Sequence, residues 1–225
     1  MQNLIALLPL KAHSERVPRK NFRPLDGVPL TCRMLTALLA VPEVDLVVIN
    51  TDARKELAEI GVVDDDRILI KDRPPQLCGD LVSMNRIIAD DLAANPASRY
   101  LMTHTTNPLI SPRTLASALR AHEDALKIGH DSLFSVSRVQ TRFYREDGSP
   151  VNHDPGNLVR TQDLEPWFEE NSCLYVFDGA SFARTGARIG ARPYMFETPR
   201  MESVDIDDPE DWLLAEALLL RERVG

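Results

Sequence analysis

A continuous apolar run at residues 3–9 (NLIALLP) gives way at once to a polar segment, and this transition limits the possible folds most strongly. An apolar run without polar alternation is typical of a strand buried on both faces, as in a parallel sheet covered by helices. The polar segment is then a loop at the carboxyl end of that strand. Because ligands of open α/β sheets bind beyond such ends, we expect this loop to contribute to a binding site.

The same alternation of elements continues along the chain. Short apolar runs predict further strands at residues 45–50, 67–71, 100–105, 131–137, 171–177 and 191–197. Apolar residues at helical spacing predict helices at residues 30–39, 53–61, 80–94, 112–127 and 209–224. Ser111 and Pro112 are suited to begin the helix at 112–127. The pattern predicts an α/β fold, a three-layer α/β/α sandwich with a mainly parallel mixed sheet.

Residues 138–172 interrupt this alternation. The segment is polar, contains Gly148, Pro150, Pro155 and Gly156, and shows no sustained period. The 225 residues of the chain are enough for one sizeable core. We therefore expect a single domain over residues 1–225, with an excursion from the core at 138–172.

Composition limits the partners that the chain can have. A formal net charge of −8 and a pI near 5.2 argue against a general nucleic-acid or anionic-membrane surface. The amino-terminal apolar stretch lacks a basic leader and is much shorter than the roughly 20 residues needed to span a bilayer. Cys32, Cys78 and Cys173 are odd in number and far apart, which favours reduced thiols. We expect a cytoplasmic protein that binds no nucleic acid and inserts in no membrane.

The loop after the first strand is strongly cationic. Between residues 11 and 23 it carries one anion, Glu15, and five cations: Lys11, Arg16, Arg19, Lys20 and Arg23. Lysine and arginine at a strand end can hold phosphate oxygens, so a phosphorylated small molecule fits this loop. The alternative is a solvated loop whose charges balance acidic neighbours. Neither G-x-G-x-x-G nor G-x-x-x-x-G-K-[ST] follows the first strand, which excludes the common phosphate fingerprints.

An acidic segment near the carboxyl terminus offers a complementary feature. In SVDIDDPEDW (203–212), Asp205 and Asp207 are two residues apart, so both side chains can face one side of an extended segment. Such a pair suits Mg²⁺, which prefers one or two carboxylates together with phosphate oxygens and water. Helix capping is the other explanation, and it suits Asp208, which stands directly before Pro209. A cationic strand-end loop together with an acidic pair is what a nucleotidyltransferase requires.

Six segments together resemble the CMP-sugar synthetases, a family typified by N-acylneuraminate cytidylyltransferase and related to 3-deoxy-manno-octulosonate cytidylyltransferase. The segments are VPRKNFRPLDGVPL, TDARKELAEIG, RPPQLCGDLVS, THTTNPLISP, FEENSCLYVF and ESVDIDDPEDW. The resemblance implies a Rossmann-like nucleotidyltransferase fold and a reaction of CTP with an acidic 2-keto sugar, such as a nonulosonic acid. The anomeric hydroxyl attacks the α-phosphorus, and the products are a CMP-sugar and pyrophosphate.

The resemblance also implies roles for individual residues. The nucleotide would be held by Lys11, Ser14, Lys20, Asn21, Arg73, Asp80 and Ser83. The acceptor sugar would contact His104, Thr106 and Asn171, and Mg²⁺ would be bound by Asp205 and Asp207. Lys11, Lys20 and Asp207 would act in catalysis. Members of the family are commonly homodimers that exchange an excursion like 138–172, which implies a homodimer in which Arg142 or Arg145 reaches the partner's site.

Two departures from the family pattern leave alternatives open. Lys11-Ala12-His13-Ser14 stands where the family usually has Arg-Gly-Gly-Ser, which replaces a bidentate phosphate contact by a point charge. His104 and Ile110 stand where the family has Gln and Arg in the segment at 104–110. A cytidylyltransferase for another acceptor (an octulosonate, an alditol phosphate or a phosphonate) and a non-catalytic nucleotide-binding module are therefore both kept as alternatives.

Some of these residues also have purely structural interpretations. His104 could be a general base or a hydrogen-bonded structural group. Asp80 could cap the following helix instead of touching a ligand. Four aromatic residues are expected to serve in packing: Trp167, Phe168, Tyr175 and Trp212.

Overall fold

The computed structural model describes residues 2–224, and side chains are described for residues 3–221. The strands are β1 (Gln2–Leu7), β2 (Pro24–Leu25), β3 (Val28–Pro29), β4 (Leu46–Thr51), β5 (Ile68–Asp72), β6 (Ala97–Thr103), β7 (Ser132–Val139), β8 (Trp167–Phe177) and β9 (Pro193–Glu197). The helices are α1 (Leu30–Leu39), α2 (Arg54–Glu59), α3 (Met84–Ala94), α4 (Pro112–Lys127), α5 (Gly179–Thr185) and α6 (Pro209–Val224). Every strand and helix predicted from the sequence has a counterpart here.

Seven strands form one mixed sheet in the order β5-β4-β1-β6-β8-β7-β9. β4, β1 and β6 pair in parallel, as do β4 with β5 and β7 with β9. β8 pairs antiparallel with both of its neighbours, so it runs against the other six strands. The carboxyl ends of β1, β4 and β6 therefore meet at one edge of the sheet, where ligands bind in folds of this kind.

Helices cover both faces of the sheet, which confirms the three-layer α/β/α sandwich. Side chains of α1, α2 and α4 share one core with residues of β1, β4 and β6. Side chains of α3 and α5 share a second core on the opposite face. The side chains of β1 from Leu4 to Leu7 are at most 1% exposed, because each face of the strand is covered by a helical layer.

A third, smaller core lies at one end of the sheet and connects the two segments that carry the site. Val17 of the cationic loop, Leu25, Leu30 and Ile206 pack with Trp212 of α6, which is 2% exposed. Trp212 is thus a packing residue, as predicted. This contact brings the loop after β1 against the acidic segment, although about 190 residues separate them in sequence.

Local chemistry accounts for several element boundaries. The Ser111 hydroxyl accepts a hydrogen bond from Thr114 N–H at 3.2 Å and caps α4, as expected. Asp208 caps α6 by accepting from the N–H groups of Glu210 and Asp211 at 2.8 and 3.1 Å. α3 begins at Met84 after Ser83, whereas the predicted helix began at residue 80. Asp80 lies outside it, so the alternative in which Asp80 caps this helix is wrong.

The excursion is shorter than predicted, because β7 continues to Val139 and β8 already begins at Trp167. Residues 140–166 lie between these paired strands and contain an isolated antiparallel bridge between Tyr144 and Pro150 and a 3-10 turn at Thr161–Asp163. Trp167 stacks on Phe143 with ring centroids 5.1 Å apart, yet it is 40% exposed and Phe168 is 43% exposed. The prediction that both are packing residues is therefore wrong for this chain alone. Tyr175, by contrast, is fully buried.

The cysteines and the helices agree with the expected reduced thiols and with the short amino-terminal apolar stretch. Cys32, Cys78 and Cys173 are free thiols. Burial raises the pKa of Cys173 to about 12, so this thiol is inert at neutral pH. Within residues 2–224, none of the helices has the length and apolar character needed to cross a bilayer.

Candidate functional site

A cavity of about 280 Å³ opens at the carboxyl ends of β1 and β6. The loop after β1 forms one wall, and the segment after β6 and Asp207 contribute the other side. Its lining residues are Pro9, Leu10, Lys11, Ser14, Glu15, Arg16, Val17, Lys20, Asn21, Arg73, Met84, His104, Thr105, Thr106 and Asp207. Eight of the predicted site residues therefore meet in one place.

Lys20 is the most buried cation of the loop, with 12% of its side chain exposed. It begins a 3-10 turn at Lys20–Phe22, directly after Arg19, whose φ of 54° lies in the left-handed region. Its ammonium donates to the Ile206 carbonyl at 2.5 Å and lies 3.3 Å from the Asp207 carboxylate. The predicted cation and the predicted carboxylate therefore face each other across the cleft.

Asn21 holds the loop in shape. Its side-chain N–H donates to the Lys11 carbonyl at 2.8 Å, and its side-chain oxygen accepts from the Thr105 hydroxyl at 2.6 Å. Asn21 is 5% exposed, so these bonds tie the loop to the segment after β6 in a protected environment. Both ends of the amide are engaged inside the protein, which makes Asn21 a group that positions the loop around the cavity.

Each cation of the cavity wall is paired with a carboxylate. Lys11 pairs with Asp80, and the hydrogen bond from Lys11 holds the pKa of Asp80 below its usual range. Arg16 lies 3.0 Å from the second oxygen of Asp207, whose first oxygen faces Lys20. The site residues thus neutralise one another, and a ligand with several negative oxygens can replace the carboxylates.

Arg73 forms the floor of the cavity near β4. Its guanidinium donates to the carbonyls of Leu10 and Asn50 at 2.9 and 2.8 Å and to the Asn50 side chain at 2.8 Å. Asn50 in turn donates to the buried carboxylate of Asp91 at 2.6 Å. The position of Arg73 is therefore fixed before any ligand binds. Of the other predicted nucleotide residues, Ser14 lines the cavity, whereas Asp80 and Ser83 lie beyond its wall.

Asp205 and Asp207 border two neighbouring cavities. Asp207 lines the first, and Asp205 lines a second cavity of about 650 Å³ between the ends of β7 and β9. Burial raises the pKa of Asp205, the hydrogen bond with Thr106 lowers it, and the charge of Asp207 raises it further. One oxygen of Asp205 is buried and has no hydrogen-bond partner among the described side chains and backbone of the protein. An orphaned carboxylate oxygen beside a second carboxylate is a donor set that suits a hard divalent cation.

This donor set is small. Among the described residues there is no group of three or more His, Cys, Asp or Glu side chains that could hold a metal ion. A Mg²⁺ ion fits such a site when phosphate oxygens and water complete its coordination, because Mg²⁺ commonly takes only one or two protein carboxylates. The residues present are therefore compatible with Mg²⁺ brought together with a nucleotide.

His104 lines the far end of the cavity, and its Nε2 lies 3.2 Å from an Arg188 nitrogen that can donate to it. Burial, together with the positive charges of Arg188 and Lys20, lowers the pKa of His104 to about 3. The imidazole is neutral at pH 7, and a group with this pKa is a weak proton acceptor. The geometry favours a hydrogen-bonding role for His104 over the role of general base.

Asn171 is not brought to this cavity. Its amide donates to Ser137 and Thr198 hydroxyls at 3.1 and 2.6 Å, and its oxygen accepts from the Cys173 N–H at 3.3 Å. A register shift in the β7–β8 pairing and a φ of 58° at Ser172 accompany this arrangement. The predicted contact of Asn171 with an acceptor stays a prediction, whereas Thr106 and His104 do line the cavity.

Three site residues were not singled out from the sequence. Arg16 belongs to the cationic loop, and the density of cations in this loop was the sequence feature that could have indicated its role. Arg188 and Glu170 lie 3.4 Å apart beside His104, but they come from distant segments. No spacing rule connects residues 104, 170 and 188, because only the folded sheet brings them together.

Known proteins with a related sequence share this fold. The family described as Cytidylyltransferase matches residues 5–223. A CMP-N,N'-diacetyllegionaminic acid synthase from Legionella pneumophila is 28% identical over 234 residues, which cover 96% of each chain. An N-acylneuraminate cytidylyltransferase from Oncorhynchus mykiss is 30% identical over 228 residues, which cover 98% of this chain and 51% of that protein. The chain thus spans about half the length of that relative.

A solved structure of a CMP:2-keto-3-deoxy-manno-octonic acid synthetase complexed with CTP has the same fold. It superposes with a TM-score of 0.66 over 98% of this chain and 99% of that chain, at 15% identity. A 4-diphosphocytidyl-2C-methyl-D-erythritol synthase from Anaerococcus prevotii gives the same TM-score of 0.66 at 12% identity, over 98% of this chain and 97% of that chain. With the family match over nearly the whole sequence, the chain belongs to the cytidylyltransferase family.

Proposed function

We propose that this protein transfers CMP from CTP to the anomeric hydroxyl of an acidic 2-keto sugar of the nonulosonic type and releases pyrophosphate. The observation that carries the proposal is the single cleft in which Lys20 and Arg16 face Asp207 at 3.3 and 3.0 Å. The acceptor class is supported by the names of the relatives, which include a CMP-diacetyllegionaminic acid synthase and N-acylneuraminate cytidylyltransferases.

In this proposal the cations of the loop bind the triphosphate. Lys11, Arg16 and Lys20 exchange their carboxylate partners for phosphate oxygens, which carry more charge and accept charge-assisted hydrogen bonds. Ser14 and the backbone of the loop line the same wall, and Asn21 keeps the loop closed around it. Arg73, already fixed by carbonyl groups, forms the floor on the nucleotide side.

Asp205 and Asp207 are the residues that would hold Mg²⁺. When bound, this ion would offset the negative charge that develops on the phosphate oxygens. Asp207 becomes available for it when the triphosphate takes over Arg16 and Lys20. Asp205 contributes the oxygen that no described residue engages.

The group transfer exchanges one P–O bond for another. The anomeric oxygen forms a bond with the α-phosphorus, and the bond between that phosphorus and the bridging oxygen of pyrophosphate breaks. Lys11 and Lys20 stabilise the charge that accumulates on the leaving pyrophosphate. The hydroxyl proton leaves to solvent or to a phosphate oxygen, because the low pKa of His104 makes that residue a weak acceptor.

We further propose a homodimer in the cytoplasm, where CTP is available. The excursion and the first residues of β8 carry exposed apolar side chains that a second copy can cover: Tyr144, Leu158, Val159, Trp167 and Phe168. Arg142 donates to the Val159 carbonyl, and Arg145 belongs to the turn at 145–149. Both arginines are therefore part of the excursion that would contact a partner. Sedimentation of the wild type and of Trp167→Ser tests this: a dimer that the substitution dissociates is expected, and a monomeric wild type contradicts it.

Pyrophosphate release tests the reaction. CTP and Mg²⁺ are supplied with N-acetylneuraminic acid, N,N'-diacetyllegionaminic acid, an octulosonate, an alditol phosphate or a phosphonate. The proposal predicts release with a nonulosonic acid and little release with the others. Preference for an octulosonate, an alditol phosphate or a phosphonate would support a cytidylyltransferase for another acceptor. Tight CTP binding without release from any of them would support a nucleotide-binding module.

A further inference from the structure

A second cluster of charged and aromatic side chains adjoins the cavity at its His104 end. Arg188, in the segment between α5 and β9, places its guanidinium 3.8 Å from the ring centroid of Tyr175. One of its nitrogens lies 3.2 Å from His104 Nε2 and another lies 3.4 Å from the Glu170 carboxylate. The side chain of Arg188 is 19% exposed, so a small ligand can reach it.

Arg188 lies in a different part of the cavity from the cations of the loop. Lys11, Arg16 and Lys20 belong to the opposite wall, where each faces a carboxylate that a triphosphate can replace. Arg73 lies on the floor of the cavity, where its Nε and one terminal nitrogen are engaged by oxygens of Leu10 and Asn50. Arg188 contacts the histidine at the end of the cavity, where the acceptor has to enter if the loop holds the triphosphate.

The acceptor carries a carboxylate on the same carbon as its attacking hydroxyl, and this charge has to be offset close to the phosphates. His104 cannot supply the charge, because burial keeps it neutral. A guanidinium offers two parallel N–H groups that match a carboxylate, and the Tyr175 ring fixes its plane. Its present partner Glu170 is 41% exposed, lies 3.4 Å away and also accepts a hydrogen bond from the Tyr175 hydroxyl, so a substrate carboxylate can replace this exposed ion pair while Glu170 keeps its bond to Tyr175.

We propose that Arg188 binds the carboxylate of the acceptor sugar and thereby selects acidic acceptors. This inference rests on the proposed function and assigns the recognition of the acid to one side chain. Glu170 occupies the guanidinium before the acceptor arrives, and Tyr175 holds it in place. His104 Nε2 accepts from one terminal nitrogen of the guanidinium, and the other terminal nitrogen faces Glu170.

The experiment compares Arg188→Met and Arg188→Lys with a control, Arg184→Met. Arg184 lies in α5 four residues earlier, is 55% exposed and pairs with Asp131, whose side chain is 16% exposed. Circular dichroism and calorimetric CTP binding show whether each variant is folded and retains its nucleotide half-site. Pyrophosphate release is then measured with the sugar acid that is active in the panel and with its methyl ester, and kcat/KM is compared between the two.

The wild type should prefer the acid over the ester by on the order of 100-fold, because a site built to bind a charged group rejects an analogue that lacks it. Arg188→Met should lower this preference at least tenfold and raise the acceptor KM, with CTP affinity within about twofold of the wild type. Arg188→Lys should be intermediate, since it keeps the charge and loses the planar fork. Arg184→Met should match the wild type.

The outcomes separate the inference from the proposed function. If the wild type turns over a sugar acid and both folded Arg188 variants retain the preference for the acid, the inference is wrong and the proposed function stands. An equal loss of preference in Arg184→Met would also overturn it, because a general electrostatic effect would then explain the result. If the wild type turns over no sugar acid, the proposed function and the inference fail together.

Discussion

Replacing Lys20 by methionine tests the cationic loop directly, because methionine keeps much of the side-chain length and removes the charge. The Lys20 side chain is 12% exposed and makes a hydrogen bond to the Ile206 carbonyl beside Asp207. Loss of a charge-assisted hydrogen bond in such a setting lowers the free energy of unfolding by about 1.5–3 kcal/mol. Urea unfolding followed by fluorescence of the two tryptophans measures this change.

The effect on the reaction should be larger than the effect on stability. Removing one fixed donor at a developing charge costs about 2.7–4 kcal/mol of transition-state stabilisation, which is a loss of about 10²–10³ in kcat. The assay is pyrophosphate release at saturating CTP, at a temperature at which urea unfolding shows the variant to be folded. The control is Lys127→Met, whose side chain is 73% exposed and pairs with Asp124 on the surface of α4. A kcat within about threefold of the wild type in folded Lys20→Met would refute the assignment.

Substitutions at three further positions test stability, backbone strain and anion binding. His122 is 1% exposed, neither of its ring nitrogens has a hydrogen-bond partner within the described part of the chain, and burial lowers its pKa to about 4. Since the unfolded pKa is near 6.5, stability should fall by up to about 3 kcal/mol between pH 6.5 and pH 4, and His122→Leu should abolish this part of the pH dependence of urea unfolding. Ser172 has a φ of 58°, so Ser172→Val should lower the melting temperature while Ser172→Gly does not, and equal melting temperatures would contradict the strain argument. Asp80→Asn removes the carboxylate that occupies Lys11, so calorimetry should show tighter binding of inorganic triphosphate at low salt, and weaker binding would contradict the competition.

The fold was predictable because its determinants are local. The apolar runs that became β1, β4 and β8 are buried on both faces of the sheet, so their composition alone indicates a covered strand. α5 was missed because it has only seven residues, of which Ser181 and Phe182 are buried, too few to show a helical period. Trp167 was misjudged because aromatic residues are usually buried, whereas here the ring lies on a surface beside the excursion.

The two halves of the site were predictable, but their contacts were not. The cationic strand-end loop and the acidic pair can each be recognised from the sequence. Lys20 and Asp207 are 187 residues apart, however, and only the fold brings them into contact. The direction of Asn171 could not be predicted, because the irregularity at Ser172 changes which side of β8 its neighbours face. Arg188 carries no local signal, since its role depends on contacts with residues 104, 170 and 175 that only the tertiary structure creates.

A crystal structure of this protein with CTP and Mg²⁺ tests the central claim most directly. The account predicts that the triphosphate lies between Lys20 and Asp207, that Lys11 and Arg16 contact phosphate oxygens, and that Asp207 has left Lys20 for the metal. A nucleotide bound elsewhere, with the Lys20–Asp207 pair still in place, would contradict it.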